Sequence, residues 1–539
     1  MTASAGTLAS AVAAAPRASA PTNKWLITVS ISFGTLMGAI DMSIVNVALP
    51  HIQGAVGAST QEITWISTGY AVSLVLLMPL TAFLGRLFGQ KRVYMICLGL
   101  FLVGSALCGT ATSLWQLVAY RAVQGLGAGA LQPTEQAILR TTFPPREQGM
   151  AMAVFGMVVM LGPAIGPTLG GYIVDHFHWS WIFFINLPIG VIGLFMVATF
   201  LHEDEGIRAA NHALAERERK NVDWIGIALL SIGLSTTEYF LEEGERNDWF
   251  DSTLITACFL VALFSLAAFV LRELTTATPV VDLRLFKDPV FSSGTIIGAL
   301  MFAMLMANMF LLPIFMQVLL GFTATQSGLA LMPRVLVMLL AVPIVGRLYG
   351  KVSPRLLIAI GIVAFAFGSY EMSRLTLESG AHDIVVPLII QGVGFACLFV
   401  PLTTVALSKV PRARMADATG LNSLLRQIGG AIGLAIFATL LERYTVVARA
   451  GLIAHLGETD LDAQQRLQLL QRGLEASGMS VATAKQAALA ALNGTVQQQA
   501  TVLSFDRIFL LAGIVFVFVL PLLLLLKTPR DEHASMHFE

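Results

Sequence analysis

GTLMGAIDMSIVNVALP, from Gly34 to Pro50, is the stretch on which the reading of this chain turns. It lies inside an apolar run from about Trp25 to Leu49, long enough to cross a hydrocarbon core of roughly 30 Å as a helix. In the outer half of that run stands Asp41, where an ionised carboxylate costs about 2.5–3.5 kcal/mol. Such a group can be poised to take up and release a proton as a cation approaches and withdraws. The same position would also suit a structural carboxylate bonded permanently to a neighbouring helix.

The rest of the chain agrees with a membrane reading. Its 539 residues are 56% hydrophobic and 12% charged, with a mean hydropathy of +0.76. A soluble domain carries about a quarter charged residues. Formal net charge is zero, so nothing argues for nucleic acid as a partner. Cys97, Cys108, Cys258 and Cys397 fall in apolar runs without CxxC spacing and read as free thiols, and no metal site is expected. Residues 1–23 are rich in Ala, Ser, Thr and Pro and read as a disordered tail, not a cleaved signal peptide.

Apolar runs of about 17–25 residues, broken by charge or Gly/Pro clusters, number fourteen. They fall at about 25–49, 62–84, 93–111, 114–138, 149–174, 180–201, 224–241, 253–271, 291–319, 326–349, 355–375, 384–408, 417–441 and 505–526. Alternate short connections are basic, holding Arg86, Lys91 and Arg92, then Arg140 and Arg146, then Arg347, Lys351 and Arg355, then Lys409, Arg412 and Arg414. The positive-inside rule puts all of these, and both termini, in the cytoplasm. The expected fold class is all-α, a polytopic membrane protein with fourteen transmembrane helices.

Internal repetition gives the architecture. Gly85-Arg-Leu-Phe-Gly89 recurs as Gly346-Arg-Leu-Tyr-Gly350, and Gln124-Gly-Leu-Gly127 as Gln391-Gly-Val-Gly394. Pro133 and Pro145-Arg146 are echoed by Pro401 and Pro411-Arg412, all at offsets of about 261–268 residues. Two parallel six-helix halves follow, an arrangement of secondary transporters with a site near the midplane. The halves span 24–201 and 291–530, with two inserted helices at 224–272 between linkers 202–223 and 273–290, and a cytoplasmic tail at 531–539. The connection 442–504 lies outside and carries Leu, Ala and Gln at helical spacing around Ser477 and Gly478, so an external helical hairpin is expected.

These residues resemble the major facilitator superfamily, and within it the fourteen-span drug:proton antiporters of the EmrB type. Asp41 with Asn46-Val-Ala-Leu-Pro50 is similar to the first-helix motif, and Arg121-Ala-Val-Gln-Gly125-Leu-Gly127 to the fourth-helix motif. Gly162-Pro-Ala-Ile-Gly166-Pro167-Thr-Leu-Gly170-Gly171 is similar to the fifth-helix antiporter motif, and Trp179 to Gly190 to the sixth-helix signature. The resemblance implies proton-coupled multidrug efflux by drug:proton antiport with alternating access, powered by the proton gradient without a cofactor. It implies a bacterial inner-membrane location, amphiphilic drugs as cargo, and a periplasmic adaptor leading to an outer-membrane channel, with 442–504 as the contact. The inner loop departs from the family pattern: Arg86 stands where an acid is usual and Ala82 where the first glycine is.

Arg121, about eight residues into a descending span, should lie at the depth of Asp41, as a proton switch or a fixed ion pair. Glu135 is the other proton-coupling candidate, or else a carboxylate at the cytoplasmic edge. Gly162, Gly166 and Gly170 share one face, with Pro163 and Pro167 bending the backbone, so this span can seal against the other half or simply pack. With Gly171, and Arg86 and Gly89 of the inner loop, they are the gating candidates. Met, Phe and polar residues on span nine make an adaptable wall, from which Asn308, Met309, Phe310 and Gln317 are substrate-binding candidates, joined by Asn46 and by Arg426 in span thirteen. An exporter of an endogenous amphiphile, such as a fatty acid or siderophore, is the second reading, and an uptake carrier is disfavoured by the antiporter-type fifth span. A membrane enzyme is disfavoured, since no Walker A loop, HExxH or GxSxG with suitable partners stands out.

Overall fold

The computed structural model describes residues 23–59, 62–144, 146–202, 222–276, 279–349, 351–454, 456 and 461–526, and every regular element among them is helical. Both tails, most of the 202–223 linker and His455 lie outside the described residues. The first half comprises α1 (Lys24–Val56), α2 (Trp65–Leu77), α3 (Thr81–Phe88), α4 (Gln90–Gly109), α5 (Leu114–Thr142), α6 (Gln148–His176), α7 (Trp181–Phe184) and α8 (Asn186–Phe200). Two further helices follow, α9 (Trp224–Glu243) and α10 (Thr253–Thr275). The second half has α11 (Pro289–Ile314), α12 (Ala324–Leu348), α13 (Pro354–Met372), α14 (Ala381–Ala406), α15 (Met415–Ala454), α16 (Leu461–Ala476) and α17 (Val481–Val517).

Twelve helices among the described residues are long and apolar enough to cross a membrane, and α2 with α3, bent by 56°, make a thirteenth as one broken span. The remaining expected span, α5, fails that test because it carries Arg121, Gln124, Gln132, Glu135 and Gln136. Four of these are buried. So polar a helix is tolerated in a bilayer only where protein surrounds it, and α5 packs against α4, α2, α1 and α15.

Packing repeats as the sequence does. In the first half α1 lies on α6, α4 on α5 and α2 on α5; in the second α11 lies on α15, α13 on α14 and α12 on α14. The same pairing order in both halves is what an internal repeat requires. The inserted α9 and α10 pack on each other and are the least buried of the apolar helices. Thr64 Oγ1 donates to Glu243 Oε1 at 3.1 Å, and Trp249 Nε1 to Thr439 Oγ1 at 3.0 Å, tying this pair to the two halves.

The segment after span thirteen is a helical hairpin continuous with the membrane helices. At 40 and 37 residues, α15 and α17 reach roughly 60 and 55 Å, well beyond a hydrocarbon core of about 30 Å. α16 packs back on α17 after a turn at Gly478, whose φ of 98° suits glycine. Arg449 Nη2 donates to Asn493 Oδ1 at 2.9 Å, bracing the two long helices against each other beyond the bundle.

Candidate functional site

Asp41, in the middle of α1, is fully buried and held by three donors from two other helices. Arg121 Nη1 on α5 donates to its Oδ2 at 2.5 Å. Gln124 Nε2, one turn further along α5, donates to Oδ1 at 2.8 Å, and Asn186 Nδ2 at the start of α8 donates to the same oxygen at 3.1 Å. The cation is held in turn. Arg121 stacks over the Tyr70 ring at 4.0 Å, donates to Gln124 Oε1 at 2.7 Å and reaches the Ile66 carbonyl at 3.4 Å. Ser105 Oγ accepts from Asn186 at 3.1 Å and donates to the Phe183 carbonyl at 2.8 Å. The expected meeting of Asp41 and Arg121 is therefore present, inside a network that sequence reading did not supply. Gln124 was discoverable from its place one turn after Arg121, on the same face of the helix.

The second half builds a related cluster with two changes: an amide replaces the acid, and the arginine comes from α12, the counterpart of α2, and not from the counterpart of α5. Asn308 follows Asp41 by 267 residues, as Gln391 follows Gln124, and Ser369 follows Ser105 by 264. Gln391 Nε2 donates to Ser369 Oγ at 3.1 Å, and Arg334 Nη1 donates to Asn308 Oδ1 at 3.0 Å, with its guanidinium 4.8 Å from the Phe395 ring centroid. An amide stands where the first half has the acid, so this copy cannot exchange a proton. Asn308, a substrate candidate by sequence, thus sits in the counterpart of the Asp41 site.

Glu135 faces α1 as well. Its two carboxylate oxygens accept from Ser32 Oγ at 3.0 Å and from Thr35 Oγ1, and it is fully buried. Ser32 and Thr35 precede Asp41 on α1 by nine and six residues, roughly 14 and 9 Å along the helix. One helix pair, α1 with α5, therefore carries two buried acids at two depths.

The halves meet firmly at the end bearing the basic loops. Arg86 Nη1 is bidentate to Asp417, at 2.7 and 2.8 Å, and Phe155 stacks on Phe399 with centroids 6.1 Å apart. The cross-face ion pair is thus made with the cation in the last turn of α3 and the acid at the start of α15. Gly149 and Ala153 of α6 meet Gly346 of α12, and Gly156 meets Phe399. Gly162, Gly166 and Gly170 lie on another face of α6, against Ala39, Ser43 and Ile44 of α1. The glycine face therefore packs within its own half, and the seal between halves is made by Gly149, Ala153 and Gly156 instead. Gly171 has open space around it, and Pro163 and Pro167 lie within the unbroken helix α6. Gly89, with φ 88°, forms the tight turn between α3 and α4 beside Arg86.

Asp417→Arg places two cations face to face at this contact. It should shift the equilibrium away from the closed basic end by about 1.5–3 kcal/mol. The readout is thiol labelling of a cysteine introduced at Gln136: faster labelling from the basic side in Asp417→Arg, and a return to the parental rate in the swap Arg86→Asp/Asp417→Arg. Equal rates in all three would mean that the pair does not hold this end shut.

A narrow cleft opens between the halves just beyond this closure, lined by Gln132 and Gln136 of α5, Phe155 and Val159 of α6, Phe302 of α11, Phe399 of α14, and Ser423, Arg426 and Gln427 of α15. Of the sequence-derived substrate candidates, Arg426 alone lines it. Asn46 is exposed and accepts from Ser67 Oγ at 3.3 Å; Phe310 and Gln317 are exposed and Met309 is half-buried, none of them at this cleft. Gln132 and Gln136, i and i+4 on the polar helix α5, are cleft residues that sequence reading passed over.

The family profile described as Major Facilitator Superfamily matches residues 31–434. The fatty acid resistance protein FarB of Neisseria gonorrhoeae is 33% identical over 95% of this chain and 97% of its own length. The multidrug export protein EmrB of Escherichia coli (strain K12) is 33% identical over 94% of this chain and 95% of its own. Among solved structures, the proton:xylose symporter XylE overlays with a TM-score of 0.59 at 12% identity, covering 91% of this chain and 94% of that one, a likeness of fold alone. With the family profile covering most of the chain and these relatives matching it nearly end to end, the protein belongs to the Major Facilitator Superfamily, among its transporters of the EmrB type.

Proposed function

We propose that this transporter exports amphiphilic or hydrophobic toxic compounds in exchange for protons, by alternating access of one central site. The observation that carries the proposal is Asp41, buried without water contact and paired to a guanidinium that lies on a different helix. While Arg121 is in contact the carboxylate keeps its charge. A shift of α1 against α5 within the first half, coupled to the rocking of the halves, parts Asp41 from Arg121 and lets a proton from outside neutralise the carboxylate. Protonation and cargo release then share one conformational change. Glu135, on the same helix pair, is the second proton-binding carboxylate, and the contact at the basic end is the inner gate.

The basic loops and both termini face the cytoplasm of a bacterial inner membrane, and the 442–504 hairpin projects outward as the contact for a periplasmic adaptor and outer-membrane channel. The relative named a multidrug export protein supports drugs as cargo, and the proton gradient serves as the energy source with no cofactor. Exchange of one monovalent cation for one proton would draw on about 1.4 kcal/mol per pH unit. A neutral cargo would draw also on about 2.3 kcal/mol per 100 mV of potential.

Purified protein in liposomes, given a pH gradient and no adaptor, should concentrate an amphiphilic dye, and collapse of the gradient should stop it. Dye movement indifferent to the gradient would overturn the reading. The relative named a fatty acid resistance protein matches equally well, so export of an endogenous amphiphile is the second reading.

A further inference from the structure

The second half buries a guanidinium in the central cleft with nothing to answer its charge. Arg426 is 3% exposed, and neither Nε nor Nη2 has a hydrogen-bond partner. It forms no ion pair with any described residue. Glu135, on the neighbouring α5, is turned towards Ser32 and Thr35 instead. What surrounds the cation is aromatic: Phe302 and Phe399 have ring centroids 5.6 and 5.4 Å from it. Gly298 on α11 leaves the space in which it lies, since a Cβ there would stand 3.1 Å from Nε. Gln136 Oε1, Ser423 Oγ and both side-chain polar atoms of Asn422 are likewise buried without partners. Buried charges and polar groups are normally paired, and cation–π contacts compensate such a charge only in part.

We propose that Arg426 is the docking point for the anionic head of the cargo, and that the preferred cargo is an amphiphile with a single negative charge, such as a carboxylate. The geometry suits that class. One guanidinium matches one carboxylate, through two parallel N–H donors. Gln136 and Ser423 supply neutral polar groups around it, and Phe155, Val159, Phe302 and Phe399 form an apolar wall for the tail. Closure at the basic end narrows the cleft in this conformation, so the tail enters when that end opens. An anion leaving as one proton enters carries two positive charges inward per cycle. The proposal rests on the export reading for its biological sense, but its test does not require transport.

The test is equilibrium binding to purified protein in nanodiscs of zwitterionic lipid. It uses three dansyl probes with one tail and different heads: a carboxylate, its neutral amide and an alkylammonium. The parent protein should bind the carboxylate about ten- to a hundredfold more tightly than the amide. Arg426→Gln should erase that preference by weakening the carboxylate probe far more than the amide, and Arg426→Lys should keep part of it. Added acetate should compete with the carboxylate probe and not with the amide, a readout that needs no variant. No preference in the parent, a preference that survives Arg426→Gln, or an equal loss for all three probes would overturn the proposal. Failure of gradient-driven dye transport in liposomes with this binding intact would count against export and leave the anion site standing.

Discussion

Asp41→Asn is expected to fold, to reach the membrane in normal amount and to lose gradient-driven export down to the level of empty liposomes. The protein itself shows that the substitution is tolerable. At Asn308 the second half already sets an asparagine against a buried arginine, with Arg334 Nη1 donating to its oxygen at 3.0 Å. An amide at position 41 can accept from Arg121 in the same way, and Arg121 keeps its hold on the Tyr70 ring and on Gln124 Oε1. Removed is the one thing the Asn308 cluster lacks, a group that can gain and lose a proton. Cargo-for-cargo counterflow, which needs no proton, should therefore persist in Asp41→Asn while accumulation against a pH gradient vanishes. Accumulation at the parental rate would place the coupling proton elsewhere, with Glu135 the first alternative.

Arg121→Leu should do greater damage to the fold. It leaves the Asp41 carboxylate buried with two neutral donors, Gln124 and Asn186, and no cation. Breaking a buried pair by deleting one partner costs about 3–5 kcal/mol, since the surviving charge stays out of water. The variant should show a clearly lower melting temperature in detergent and poor recovery as a monodisperse species. Adding Asp41→Asn to it removes the stranded charge, so the double variant should melt above Arg121→Leu alone. If the second substitution brings no recovery, the damage comes from lost packing against Tyr70 and not from charge.

The sequence was most informative where chemistry and periodicity coincide. A carboxylate in an apolar run and an arginine at equal depth on another span are each costly in oil, and they meet as expected. Repeats such as Gln124 with Gln391 marked the two halves because the same local contacts are built twice. The faces of α6 were less legible. A glycine every fourth residue announces close packing but not the partner, and Gly162, Gly166 and Gly170 turned towards α1 while Gly149 and Gly156 met the other half. Span nine misled for a related reason. Met and Phe serve lipid, core and pocket alike, so Met309 and Phe310 carried no signal to separate these, whereas the cleft drew Gln132 and Gln136 from a helix already polar. Arg86 was legible as a gating candidate or a topology anchor, but its partner was not, because Asp417 lies 331 residues away in the other half.

Whether cargo and proton compete through one acid can be measured without a membrane gradient. Weakly buffered purified protein, with a pH-indicating dye, is mixed with a saturating cargo. The parent protein should release protons on mixing, and Asp41→Asn, binding the same cargo, should release clearly fewer, with only Glu135 left to contribute. Equal release from both proteins would contradict the role given to Asp41.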